Sequence, residues 1–277
     1  MSTGMSGGLR TRAAGTGPAV LWIHGYTMDS SLWGDLWDLL PGFRHIGVDL
    51  PGHGASGPLP AGLTLPALAG EIADVARSAG ASRVVALSFG TIVGLQLAID
   101  SPDLVQRLIL GAPAISGWPA EPGISDRYRQ LGLLRRFAGP GEQMAELWMS
   151  SPPDIFRGTE RHPRLRDQIR SVVMRHNWAE LVNGRMRPLT EYVQEETALA
   201  RITAHTLVVI GDEDMPAYHR HAATLCSAVP RCRSVTLPDA GHLCLLERPA
   251  EVAPILAAHL RSHEPGFNGH VAPAIPI

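Results

Sequence analysis

Lysine is missing from this chain of 277 residues; all 24 basic side chains are arginine. Schiff-base and lysine general-base chemistry are therefore excluded, and the bias reads as that of a GC-rich genome rather than a binding device. Cysteine is scarce as well. Cys226, Cys232 and Cys244 show neither a pairing pattern nor metal-ligand spacing, so they read as small buried hydrophobes. No apolar run approaches the roughly 20 residues that cross a bilayer as a helix, so no membrane partner is expected. The opening, Met1 to Gly17, is rich in Gly and Thr and lacks the apolar centre of a signal peptide. A cytoplasmic protein is the expectation. A net charge of −2 gives no bulk attraction to nucleic acid.

What is present suits a large α/β domain. Hydrophobic residues make up 45% and charged residues 18%, enough for a well-buried core at this length. Short runs rich in Val, Ile and Leu predict buried strands near 19–24, 44–49, 83–88, 105–111, 205–211 and 233–237. Helical stretches alternate with them near 66–80, 89–100, 216–229 and 247–262. That alternation implies a doubly wound, mostly parallel sheet, with its ligand site beyond the carboxyl ends of the strands. Residues 1–17 are short for an opening hairpin, so abbreviated edge strands are expected there. Residues 263–277 carry three prolines and two glycines and read as a flexible tail.

Five motifs end strands in a telling order. Ala86-Leu87-Ser88-Phe89-Gly90 lies between an apolar strand and an apolar helix, and resembles the nucleophile elbow of the α/β-hydrolase superfamily. The tight turn of that elbow needs small residues two positions before and after the serine, here Ala86 and Gly90. Ala86 departs mildly from the usual Gly. His24-Gly25-Tyr26-Thr27 resembles the family's His-Gly loop, and Asp49-Leu50-Pro51-Gly52-His53-Gly54-Ala55-Ser56 its Asp-x-x-Gly-x-Gly-x-Ser loop. Asp49, His53, Ser56 and His24 read as loop architecture. Gly211-Asp212-Glu213-Asp214 and Pro238-Asp239-Ala240-Gly241-His242 complete the series in the family's order of Ser, acid, His.

The resemblance implies a catalytic triad of Ser88, His242 and Asp214, with Asp212 and Glu213 as the alternative acids. It also implies an oxyanion hole made by the backbone N–H groups of Tyr26 and Phe89. No metal or other cofactor is implied. Residues 18–115 and 197–262 form the expected hydrolase core, interrupted by a helical cap over 116–196. Cap helices are expected near 125–137, 141–149, 163–176 and 188–199. Large apolar cap residues should shape the pocket above Ser88, and Trp148, Trp178, Met174 and Phe137 are the candidates. Twelve of the arginines also fall between residues 114 and 196, including Arg135, Arg136, Arg164, Arg166 and Arg170. They read as solvated helix faces, with substrate-carboxylate or carrier-phosphate binding as the alternative.

The function this implies is a serine hydrolase acting on a carboxylic ester, lactone or thioester, possessing a small-molecule partner that could be carrier-bound. Three alternatives stay open: an acyltransferase using the same triad, a carbon–carbon bond hydrolase, and a ligand-binding receptor or scaffold with little turnover.

Overall fold

A computed structural model describes residues 2–6 and 8–261. Its centre is one eight-stranded sheet with spatial order β1-β2-β4-β3-β5-β6-β7-β8. The strands are β1 (Ser2–Ser6), β2 (Leu9–Ala14), β3 (Ala19–Ile23), β4 (Arg44–Val48), β5 (Arg83–Leu87), β6 (Arg107–Gly111), β7 (His205–Gly211) and β8 (Cys232–Leu237). β1 and β2 run antiparallel, and β3 to β8 are parallel. The opening hairpin is thus complete, not abbreviated as its length suggested. Its pairing runs from Ser2↔Ala13 to Ser6↔Leu9, through backbone groups that need no apolar pattern. The expected tail, 263–277, lies outside the described residues.

The parallel strands are buried on both faces, and their alternate side chains feed two cores. Val20, Trp22, Val85, Leu87, Ile109 and Val209 join one cluster, with Trp33, Trp37 and Leu256. Leu21, Ile23, Val84, Ala86, Leu108 and Val208 join the other, with Leu68, Ile72, Val93 and Leu225. The first face is covered by Gly34–Asp38 and Pro249–Arg261, the second by the helices Leu65–Ala79, Phe89–Asp100 and Pro216–Ala228. Each of these burials removes apolar surface worth about 25 cal/mol per Å² from water. Among the described residues, no helix is long and apolar enough to cross a membrane.

Between β6 and β7 the chain leaves the sheet and forms helices at Ile124–Ala138, Glu142–Met149 and Pro163–Arg175. The predicted helix 188–199 is instead two short turns, Arg187–Thr190 and Glu196–Leu199. Gln194 breaks it. Its side chain is buried, accepts the Ser116 N–H at 2.9 Å and donates to the Ile92 carbonyl at 2.9 Å. The chain around it is pulled down onto the core.

Candidate active site

Ser88 sits between β5 and the helix Phe89–Asp100 with φ 52° and ψ −122°. A positive φ costs an L-residue conformational energy, so the turn persists only because its surroundings fix it. The Ser88 N–H donates to Gly111 O at 2.9 Å, and its carbonyl accepts the Thr91 N–H at 2.8 Å. Gly90 is needed for space: a Cβ there would lie 2.5 Å from His24 O and 2.6 Å from Ile23 O. The helix start is thereby pressed against the end of β3, beside the His24–Thr27 loop.

Three side chains from three strand ends meet here. Ser88 Oγ lies 2.7 Å from His242 Nε2, and His242 Nδ1 lies 2.9 Å from Asp214 Oδ1. A carboxylate only accepts, so Nδ1 carries the proton and Nε2 offers its lone pair to the serine hydroxyl. The same Asp214 oxygen accepts the Met215 N–H at 2.7 Å, and the His242 and Asp214 side chains are fully buried. Asp212 and Glu213 point elsewhere: Asp212 accepts the Ala240 N–H, and Glu213 pairs with Arg161 at 2.8 Å. Asp214 is the acid that the fold brings to the histidine.

Groups beyond the triad, several of which the sequence did not single out, hold this arrangement. Glu247 accepts the Gly241 N–H at 2.7 Å and the Leu243 N–H at 3.0 Å, gripping His242 on both sides. Burial pushes its carboxyl up despite those two bonds. The Tyr218 ring stands 4.2 Å from the His242 ring, centroid to centroid. Glu180, from the cap, accepts the Tyr26 hydroxyl at 2.5 Å and His176 Nε2–H at 3.0 Å. Burial pushes the Glu180 carboxyl up, but the bonds from His176 and Tyr26 outweigh it and hold it below the usual range. Burial, then the nearby Glu180, keeps the Tyr26 phenol protonated as the donor. Trp148 adds a second tie between cap and core, donating to Thr27 Oγ1 at 2.8 Å. A glutamate among apolar neighbours was the only sequence hint of Glu180; Tyr218 stands four residues after Asp214.

The loop residues act as loop residues. His24 donates from Nδ1 to Gly25 O at 2.8 Å and accepts the Leu50 N–H on Nε2 at 3.0 Å. Burial lowers its pKa, in keeping with that neutral form. Asp49 accepts the N–H groups of Ser30 and Ala55, and Ser56 donates to Asp49 O at 2.6 Å. His53 Nδ1 donates to Pro51 O at 3.1 Å.

A cavity of about 500 Å³ opens over Ser88. Tyr26 and Phe89 line it, and Phe89 is the first residue of its helix, where N–H groups have no intrahelical acceptor. Of the four cap candidates only Trp148 is a wall. Trp178 is buried behind it, ring centroids 6.2 Å apart. Met174 packs into the cap core and accepts from Arg170. Phe137 is 88% exposed, on a face of its helix turned away from the cavity. Residue size identified bulky cap residues, but not which way each would point. The walls missed include Tyr128, Trp118, Ile124 and Leu243.

None of the five singled-out arginines lines the cavity. Arg135 donates to Asn177 O, Arg166 to Phe156 O and Thr159, Arg170 pairs with Glu142, and Arg164 lies 3.8 Å from Asp35. Among the described residues the charged walls are Glu121, Glu180, Glu191 and Arg187, and Arg187 is paired with Glu191 at 2.9 Å.

Known proteins resemble this chain in sequence and in fold. The sequence model of the alpha/beta hydrolase family matches residues 20–255. The chain is 30% identical, over 267 residues, to the dihydrolipoyllysine-residue acetyltransferase component of the acetoin cleaving system of Cupriavidus necator, covering 91% of this chain and 67% of that protein. It is 27% identical to the pimeloyl-[acyl-carrier protein] methyl ester esterase of Yersinia pseudotuberculosis, covering 84% of this chain and 90% of that one. A thermophilic esterase from Thermogutta terrifontis superposes with a TM-score of 0.75 at 27% identity, covering 91% of this chain and 93% of that one.

Proposed function

The chain belongs to the alpha/beta hydrolase family, and from that premise we propose that it is a serine hydrolase cleaving a carboxylic ester, lactone or thioester through an acyl-enzyme on Ser88. The observation that carries this reading is the continuous chain Ser88 Oγ, His242 Nε2, His242 Nδ1, Asp214 Oδ1 at 2.7 and 2.9 Å. Ser88 Oγ attacks the carbonyl carbon while its proton passes to His242 Nε2. Asp214 stays ionised and stabilises the imidazolium. The carbonyl oxygen becomes an oxyanion facing the N–H groups of Tyr26 and Phe89. Collapse breaks the carbon–oxygen or carbon–sulfur bond, and the alcohol or thiol leaves with the proton held by His242. Water then attacks the acyl-enzyme, gives its proton to His242, and releases the acid as Ser88 is restored.

The cavity favours an uncharged, mainly apolar acyl group. Among the described residues, the carboxylates of Glu121 and Glu180 line it without an arginine partner, and Arg187 is neutralised by Glu191. An anionic substrate would meet repulsion in a site of low dielectric. Nitrophenyl hexanoate is therefore expected to give a kcat/KM at least about tenfold above that of nitrophenyl hemisuccinate, a difference of roughly 1.4 kcal/mol. Equal rates would remove the charge argument.

The test of the nucleophile is intact mass after treatment with a fluorophosphonate. One adduct is expected on the wild type and none on Ser88→Ala. A folded wild type that takes no adduct would overturn the acyl-enzyme reading and favour a binding protein. An acyltransferase is the second reading, and the acetyltransferase relative is the observation in its favour. An added alcohol or thiol that diverts most of the acyl group from water would support it.

A further inference from the structure

The sequence offers nothing to pair the cysteines, but the fold brings two of them together. Cys226 is near the end of the helix Pro216–Ala228, and Cys232 is the first residue of β8. The chain reverses between them, and the two Sγ atoms lie 3.2 Å apart. Both residues are partly exposed, whereas Cys244 is buried and separate. The expectation of three buried hydrophobes therefore holds for Cys244 alone.

We propose that Cys226 and Cys232 form a reversible oxidation site, a dithiol that closes to an intramolecular disulfide under a peroxide or a small-molecule disulfide. A disulfide bond is about 2.05 Å long, so the sulfurs must approach by only about 1 Å, a distance that small side-chain rotations cover. Cys226 is the attacking group. The hydrogen bond from Cys232 lowers its thiol to about 7 against the opposing effect of burial, leaving much of it as thiolate at neutral pH. Cys232 shifts upward through that same contact and through burial, and acts as the resolving thiol.

The steps balance. The Cys226 thiolate attacks oxidised glutathione, a sulfur–sulfur bond forms, and one glutathione thiolate leaves. Cys232 then loses its proton to solvent and attacks the Cys226 sulfur, expelling the second glutathione. With hydrogen peroxide, Cys226 becomes a sulfenic acid as hydroxide leaves, and attack by Cys232 releases water. Two thiols and one peroxide give one disulfide and two waters.

The bond would fasten β8, the edge strand of the sheet, to the helix that follows the Asp214 loop. It lies at the start of β8, whereas His242 follows the end of that strand. The staple therefore leaves the cavity open, and the oxidised protein should keep its esterase activity.

The experiment is intact mass and differential alkylation of the whole chain with oxidised glutathione. The wild type is expected to lose the mass of two hydrogens, to remain monomeric on a non-reducing gel, and to expose only Cys244 to iodoacetamide after denaturation. Dithiothreitol should return all three thiols. Cys232→Ser should accumulate a glutathione adduct on Cys226, having lost the resolving thiol. A stable glutathione adduct on the wild type, a disulfide-linked dimer, or three free thiols under these conditions would overturn the proposal.

Discussion

Glu247 does not line the catalytic cavity, yet its two oxygens take the N–H groups on either side of His242. Removing it leaves two buried donors without acceptors, at about 1–3 kcal/mol each. Glu247→Ala is therefore expected to lower the unfolding midpoint. It should also reduce kcat by on the order of tenfold to a hundredfold while KM changes little, because the imidazole loses its angle to Ser88. Glu247→Gln, which keeps one acceptor oxygen, should recover part of both. A large KM change with kcat intact would show that Glu247 shapes binding instead. Ser88→Ala acts differently. It removes the reacting atom and should cost on the order of 10⁴-fold or more in kcat, with the circular dichroism spectrum unchanged.

The elbow is a joint between β3, β5 and one helix, and its tolerance is set by backbone. A methyl group on Gly90 meets two main-chain oxygens of β3's end, at 2.5 and 2.6 Å, which cannot rotate away. Gly90→Ala should push the helix start off β3 and move the Phe89 N–H relative to Tyr26. Roughly 2 kcal/mol or more of stability is at stake, and fluorophosphonate labelling should slow markedly. Unaltered labelling and denaturant midpoint would show that the joint is looser than its geometry. The elbow, the parallel strands and the order of Ser, acid and His were legible in the sequence because short apolar runs end abruptly in Gly, Ser, Asp or His. The first hairpin was not, since Ser2–Met5 is exposed and its pairing is carried by backbone. The cap was half legible. Helices of thirteen to fifteen residues carry a readable period, as at Ile124–Ala138 and Pro163–Arg175. Gln194 and Glu180, whose contacts span roughly a hundred residues or more of chain, carry none.

For the molecule as a whole, acid should be the weak side. Burial lowers the pKa of His24, His45, His53, His205, His221 and His259, the last to about 4. Above about 6.5 these histidines are neutral in both folded and unfolded chains and cost nothing. As pH falls below that, the unfolded chain takes up protons that the folded one refuses, so stability declines. His259 alone accounts for about 3 kcal/mol between pH 6.5 and 4. Glu71 and Glu247, raised by burial, run the other way nearer the carboxylate range. Tm is expected to fall steadily from pH 7 towards pH 5; a Tm that rises over that span would mean the carboxylates dominate. The six tryptophans divide by position. Trp22, Trp33 and Trp37 are packed together against the sheet, whereas Trp118 and Trp148 form cavity walls and Trp178 backs Trp148. Half of the indoles therefore stand at or beside the cavity, and half are packed against the sheet away from it. Occupancy of the site becomes a partial change in fluorescence over a constant background, readable without any dye.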